Sequence, residues 1–333
     1  MDPILQLVFS FAIVLSGAEL FTNGIEWLGR RIALGEGAVG SLLAAVATAL
    51  PETLIPIVAV IEGGRGSEDV AIGAIIGAPF LLATLAMVLV GSSVILARHR
   101  RPQGNRLAVH FPTLERDLAF FIGCFAGGFL LGLLPAPLPV RIAGALALVI
   151  AYAGYVRRTL DHSGEIEQEE VIAPLTFDRT KGDPPRNVTV VVQCVVGLLA
   201  IVGGADLFVN ALTEVADRSG ADPLVLSLVI APFATELPEK VNSVIWARNG
   251  KDTLALGNIT GAMVFQSTIP LAFGLAFTAW DLDSYSILAC VLALAGALLA
   301  IFELQIRRRF IGRAIVAWAG LYATFAVVVA TSA

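Results

Sequence analysis

Seven residues near the start of the chain, Gly17-Ala18-Glu19-Leu20-Phe21-Thr22-Asn23, return 187 positions later as Gly204-Ala205-Asp206-Leu207-Phe208-Val209-Asn210. At the same spacing Ala47-Thr48-Ala49-Leu50-Pro51-Glu52 returns as Ala234-Thr235-Glu236-Leu237-Pro238-Glu239. After a three-residue deletion, Gly73-Ala74-Ile75-Ile76-Gly77-Ala78 matches Gly257-Asn258-Ile259-Thr260-Gly261-Ala262. The matched positions include Pro, Glu, Asn and Gly, which apolar composition alone does not repeat. The chain is therefore two copies of one unit, and its fold has to be built from a pair.

Each copy is dominated by apolar runs long enough to cross a bilayer, which takes about 20 residues of helix. Ten such spans are expected, near 4–28, 37–62, 70–96, 118–134, 138–156, 189–212, 223–247, 253–279, 285–304 and 312–331. With 57% hydrophobic and 15% charged residues, the 333-residue chain has more apolar surface than one soluble core would hide. Five spans per copy is an odd number, so the second copy enters the membrane upside down relative to the first. The expected fold is an all-α integral membrane protein of ten transmembrane helices, arranged as two inverted five-helix repeats. The first repeat occupies 1–158 and the second 188–333. Between them lies an acidic linker, 159–187, the one substantial polar segment.

The basic residues orient this plan. With the N-terminus outside, the inner loops carry 18 of the 22 Lys and Arg residues and the outer loops only Arg65, Arg141 and Arg218, as the positive-inside rule requires. Both termini then lie outside, in a membrane of the bacterial inner type. The N-terminus has no basic region before its first apolar run, so Met1 is read as the mature start. One cation is left over: Lys240 falls inside the seventh span.

Two acids also fall inside spans, each directly after a proline. An ionisable residue at the bilayer centre costs at least about 2.5 kcal/mol on insertion scales, so Glu52 and Glu239 need a reason to be there. Pro51 and Pro238 have no N–H and crowd the carbonyls of Ala47 and Ala234, which frees backbone oxygens beside the carboxylates. An interrupted helix of this kind can build a cation site near the midplane. Carboxylate, carbonyl and hydroxyl oxygens from Glu52, Glu239, Thr48 and Thr235 suit a hard cation such as Ca²⁺, with Mg²⁺ and Mn²⁺ as alternatives. The competing structural reading makes each Thr-x-x-Pro-Glu a helix restart, with Thr as cap and Glu held by the helix dipole.

The paired motifs resemble the α-repeats of the cation/calcium antiporter superfamily, in particular prokaryotic sodium/calcium exchangers, over about 17–92 and 204–279. That family carries Gly-Thr-Ser-x-Pro-Glu in each repeat and a Gly-Ser-Asn-x-x-Asn or Asp stretch in the next helix. The resemblance implies that Glu52 and Glu239 are the central carboxylates and that Thr48 and Thr235 contribute backbone oxygens. It departs at the sodium positions: Ala49 and Glu236 replace the serines after the threonines, Ala78 and Ala262 replace those of the next helix, and Leu82 and Gln266 stand where the final amide or acid belongs.

In exchange the second copy gains Glu236 and Lys240, four apart on a helix and able to pair, with Glu239 close to the same face. The pair is either mutual compensation for burial or a working part: the Lys240 ammonium replacing a bound cation, and Glu236, Glu239 or Lys240 carrying a proton. Glu236 and Gln266 are further candidate cation ligands, Asn258 another, and Glu19 with Asn23 and Asp206 with Asn210 are read as interhelical hydrogen-bonding pairs.

The expected function is secondary active antiport of Ca²⁺ or a related hard cation by alternating access, coupled to H⁺ or Na⁺. The helices 4–28 and 189–212 would move against the rest. The alternative is a transport-inactive or sensor-like membrane protein that keeps the fold. Enzyme chemistry is not expected, since no nucleophile with a base and no glycine-rich phosphate cradle occurs in the spans. No cofactor is expected beyond the transported ions. Partners are inorganic cations and the lipid bilayer, with no nucleic acid, and a monomer would suffice. Cys124, Cys194, Cys290, His99, His110 and His162 show no metal-ligand spacing. The acids Glu165, Glu167, Glu169 and Glu170 read as a solvated run rather than a regulatory metal site.

Overall fold

A computed structural model describes residues 2–31, 49–64, 66–104, 106–162, 173–178, 185–303 and 312–332. Thr48, the opening of the expected second span at 37–48, and the linker acids Glu165, Glu167, Glu169 and Glu170 lie outside the described residues. Among those described, all regular structure is helical. In chain order the elements are α1 (Pro3–Arg31), α2 (Leu50–Glu62), α3 (Ser67–Leu81), a π-helical segment (Leu82–Ala86) running on into α4 (Met87–Leu96), α5 (Phe111–Leu133), α6 (Leu138–His162), α7 (Asn187–Ser219), α8 (Pro223–Arg248), α9 (Asp252–Gln266), α10 (Ile269–Phe277), α11 (Ser284–Phe302) and α12 (Gly312–Ser332).

Eight helical stretches among the described residues are long and apolar enough to cross a membrane. Two of the ten expected spans are not among them, for separate reasons. The second begins in residues outside the description, which leaves α2. The seventh, α8, is long enough, but its apolar part stops at Phe233, where Glu236, Glu239 and Lys240 begin.

Local chemistry sets the ends of several helices. Asp222 caps α8 by accepting the Leu224 N–H at 2.9 Å, with Pro223 in the first turn where a missing N–H costs nothing. Asp283 caps α11 through Ser286 in the same way, at 2.7 Å. Gly63 closes α2 in the left-handed region at φ 61°, a conformation that glycine adopts without steric cost.

Irregular helix appears at one matched place in both halves. The first half has the π segment starting at Leu82, three residues beyond Pro79. In the second half the expected span 253–279 is split into α9 and α10 by Ser267 and Thr268, immediately after Gln266. Leu82 and Gln266 are equivalent in the repeat. Pro79 and Pro270 each remove an N–H that a regular helix would use, and the chain adjusts its turns around them. By contrast, the interruption expected at Pro238 is not present: α8 is assigned as continuous helix from Pro223 to Arg248. A single missing hydrogen bond leaves the flanking turns able to keep the helix going.

Close packing is set by small residues. Helix α1 lies along α7, and a Cβ on Gly17 would come within 2.9 Å of the Gly197 carbonyl oxygen. Helix α3, buried along almost its whole length, lies against α8 with Gly73 and Gly77 facing the backbone at Leu224 and Leu228. There Ser227 donates its hydroxyl to the Val70 carbonyl at 2.6 Å. Such glycine contacts let helices approach closely where apolar burial alone gives little drive. The remaining helices wrap this centre. Phe80 stacks on Tyr322 of α12 at 5.5 Å.

Candidate cation site

Helix α8 carries Thr235, Glu236, Glu239 and Lys240, and α2, which packs against it, brings in Glu52. Lys240 is 1% exposed, Glu236 1% and Glu52 7%. The ammonium of Lys240 sits 3.4 Å from Oε2 of Glu236 and 3.6 Å from Oε2 of Glu239. The contact with Glu236 follows from helix geometry, since residues four apart are neighbours on one face, whereas Glu239 is adjacent in sequence and is met through the length of the lysine side chain. At such separations, and at the effective dielectric of about 20 found near protein groups, each attraction is on the order of 4 kcal/mol. It offsets the larger cost of burying the charges at all.

Glu52 lies within electrostatic reach of Glu236, Glu239 and Lys240. Its Oε2 is buried without a hydrogen-bond partner. Gln266 enters from the end of α9, where it is 2% exposed and donates its amide to Oε1 of Glu236 at 2.9 Å. Its own Oε1 is likewise buried and without a hydrogen-bond partner. Buried polar oxygens of this kind are rare in folded proteins, and oxygen is the donor that hard cations take.

The other candidates are placed as follows. Thr235 turns its hydroxyl back to the Ala231 carbonyl at 3.3 Å, so that oxygen is engaged within its own helix. Thr48 lies outside the described residues. Asn258 bonds Ser243 at 2.9 Å, tying α9 to α8. Asn23 receives the amide of Gln193 from α7 at 2.9 Å, and Asn210 donates to Glu62 of α2 at 3.0 Å. Glu19 has no part in the cluster.

Glu239 differs from its neighbours in being open: its side chain is 31% exposed, against 0% for Lys240 and 2% for Glu236. A cavity of about 590 Å³ lies where α2 ends, lined by Glu62, Ser67, Asn210, Thr213, Glu214 and Asp217, with Gly64. Glu62 is ten residues along α2 from Glu52, roughly 15 Å at 1.5 Å per residue. Sequence reasoning passed over Glu62; the available signal was an acid at the very end of an apolar run, facing a polar residue of the other repeat.

The sequence profile of the sodium/calcium exchanger protein family matches residues 3–160 and 189–331, leaving out little besides the linker. A candidate antiporter, CaxA of Alkalimonas amylolytica, is 25% identical over 297 residues, 86% of this chain and 87% of that protein. Among solved structures, the H⁺/Ca²⁺ exchanger CAX superposes with a TM-score of 0.75 at 21% identity, over 98% of this chain and 81% of the other. The sodium-calcium exchanger NCX_Mj superposes with a TM-score of 0.58 at 20% identity, over 97% of each chain. At these identities the two structures speak to the fold.

Proposed function

The chain belongs to the sodium/calcium exchanger protein family, and on that premise we propose that it is a secondary active antiporter carrying Ca²⁺, or a related hard cation, in exchange for H⁺. It is a multi-pass membrane protein of a family of exchangers, not of enzymes. The observation that carries the reading is that Glu52 and Glu239, from equivalent positions of the two repeats, lie within electrostatic reach of one another. Carboxylates at membrane depth persist where they handle ions or protons.

In this reading the ten spans form two inverted repeats, 1–158 and 188–333, with both termini outside. Glu52 and Glu239 hold the cargo, Gln266 and the backbone around Thr48 and Thr235 complete its oxygen shell, and Glu236 with Lys240 balances charge. Transport proceeds by alternating access, with α1 and α7 moving as a unit against the other helices. Their mutual packing through Gly17 and Gly197 supports treating them as one body. The empty site, with two uncompensated carboxylates, resists crossing, and the loaded or protonated site crosses.

The choice of H⁺ over Na⁺ rests on the side chains available. Ala49, Ala78, Ala262 and Leu82 supply no side-chain oxygen, and a sodium ion needs several. The H⁺/Ca²⁺ exchanger CAX provides a precedent for proton coupling on this fold.

The test is ⁴⁵Ca²⁺ uptake into proteoliposomes, driven separately by a pH gradient and by an outward Na⁺ gradient, with Glu52→Gln and Glu239→Gln alongside. Uptake driven by pH and lost in both variants is expected. Strict Na⁺ dependence would return the chain to sodium coupling. Absence of uptake under either gradient, for Ca²⁺, Mn²⁺ and Mg²⁺ alike, would favour a transport-inactive relative.

A further inference from the structure

Lys240 and Glu236 put charges where the first repeat is neutral. The equivalents in the first half are Thr53 and Ala49, and there the Thr53 hydroxyl simply folds back onto the Ala49 carbonyl at 2.8 Å. The second half replaces this neutral pair with an acid and a base at the same helical spacing. The replacement adds one negative and one positive charge, so the net charge of the cluster stays that of Glu52 and Glu239 alone. The added ammonium is fully enclosed, 3.4 Å from Glu236 and 3.6 Å from Glu239. The remaining oxygen of Glu236 is taken by Gln266 at 2.9 Å. Oε2 of Glu236 faces the Lys240 ammonium without a hydrogen bond, so both oxygens of Glu236 are turned towards groups of the protein itself.

We propose that the Lys240 ammonium is a tethered monovalent cation: it permanently fills a subsite beside Glu236, so that the site accepts one divalent cation and has no place for an accompanying alkali ion. This rests on the antiporter reading and makes Lys240 its specificity-determining residue. An ammonium and an alkali ion each present one positive charge to carboxylate oxygens. The ammonium is fixed by a covalent stem and cannot leave during the cycle.

The inference predicts what happens when the tether is cut. Lys240→Met leaves Glu236 buried and uncompensated, so the divalent cation now needs a free monovalent partner. Removing both charges, in Glu236→Gln/Lys240→Met, abolishes that need.

The experiment is ⁴⁵Ca²⁺ uptake driven by a pH gradient, in choline medium and again with equal Na⁺ or K⁺ on both sides, together with equilibrium ⁴⁵Ca²⁺ binding to the purified proteins. Wild type should differ less than twofold between media. Lys240→Met should fall at least tenfold in choline and recover with an alkali ion in both uptake and binding. The double variant should regain a measurable share of uptake in choline. Wild-type uptake that itself requires an alkali ion overturns the inference. So does a Lys240→Met protein that works equally in both media. A Lys240→Met protein that is inactive in every salt, beside a double variant that is also inactive, overturns it too, since Lys240 is then a structural counter-charge only. If wild type moves no divalent cation at all, the antiporter reading itself fails, and that outcome is separate because the variants are then not informative about the cause.

Discussion

Gln266, the last residue of α9, donates its side-chain amide to Oε1 of Glu236 in the middle of α8, across 2.9 Å. Both residues are nearly sealed from solvent, at 2% and 1% exposure. The bond joins the helix break after Gln266 to the charged turn of α8. Substituting Gln266→Leu removes the donor and leaves a buried carboxylate oxygen without it, a loss of about 1–3 kcal/mol. Thermal denaturation of the detergent-solubilised protein should show a lowered midpoint. Gln266→Glu should lower it further, because it sets like charges face to face. An unchanged midpoint in both variants would mean that Glu236 does not depend on this amide.

Residues 173–178 are docked onto α1 and α7, which are the two helices read as moving together. Trp27 donates its indole N–H to the Ala173 carbonyl at 2.9 Å. Asn23 donates to the same carbonyl at 3.2 Å and accepts from the Thr176 N–H at 3.1 Å. Gln193 accepts from the Phe177 N–H at 2.9 Å. Leu175, only 4% exposed, packs among Trp27, Val190 and Cys194. Asn23→Ala removes the shared acceptor of Thr176 and Gln193. Limited proteolysis should then cut within 173–178 several-fold faster than in wild type, with no new cuts inside α1 or α7. Equal cleavage rates would show that Trp27 and Leu175 hold the strap without Asn23.

How much of this was legible in the sequence depends on how far each partner lies along the chain. The repeat and the acids after Pro51 and Pro238 mark the cluster directly, because a charge in an apolar run stands out at its own position. The i,i+4 pairing of Glu236 with Lys240 follows from helix geometry as soon as α8 is recognised. The docked strap does not, because Gln193 and Asn23 are 170 positions apart and only the fold brings them together. The break after Gln266 is not expected from the sequence, which points to Pro238 instead. Proline marks where a helix is weakened, but neighbouring packing decides whether it bends, widens or stops. Pro238 is accommodated in continuous helix, whereas Pro270 follows a break and Pro79 precedes a π segment.

The crossing of α3 and α8 tolerates no side chain at Gly77, since a Cβ there would run into the carbonyl of Leu228 and the ring of Pro232. Gly77→Val forces the helices apart next to the turn that carries the charged cluster. Overpacking of this kind costs about 1–3 kcal/mol, and backbone carbonyls yield less than side chains do. The variant should show reduced thermal stability and a broadened size-exclusion profile. Gly257→Ala, where nothing lies within 4 Å of the added Cβ, should match wild type in both measurements. If Gly77→Val is as stable as Gly257→Ala, the close crossing is not required.

Arg101 reads in the sequence as one more basic residue of an inner loop, yet its side chain and that of Asp252 are both 0% exposed and 2.8 Å apart. Asp252 occupies the first turn of α9, where a carboxylate is favoured by the helix dipole. Its Oδ2 also accepts the Ala108 N–H at 2.8 Å. Arg101 in turn donates to the carbonyls of Gly104 at 2.9 Å and Arg106 at 2.9 Å. The ion pair, together with the bonds of Thr253 to His110 and Ala108, therefore holds the described part of the α4–α5 connection onto the start of α9. Removing a single partner strands a buried charge at a cost of about 3–5 kcal/mol. Asp252→Ala should accordingly destabilise the protein more than the double variant Arg101→Met/Asp252→Ala, which strands none. Thermal denaturation of the three proteins checks the order. A double variant less stable than the single one would show that the backbone bonds of Arg101, rather than its charge, hold the connection in place.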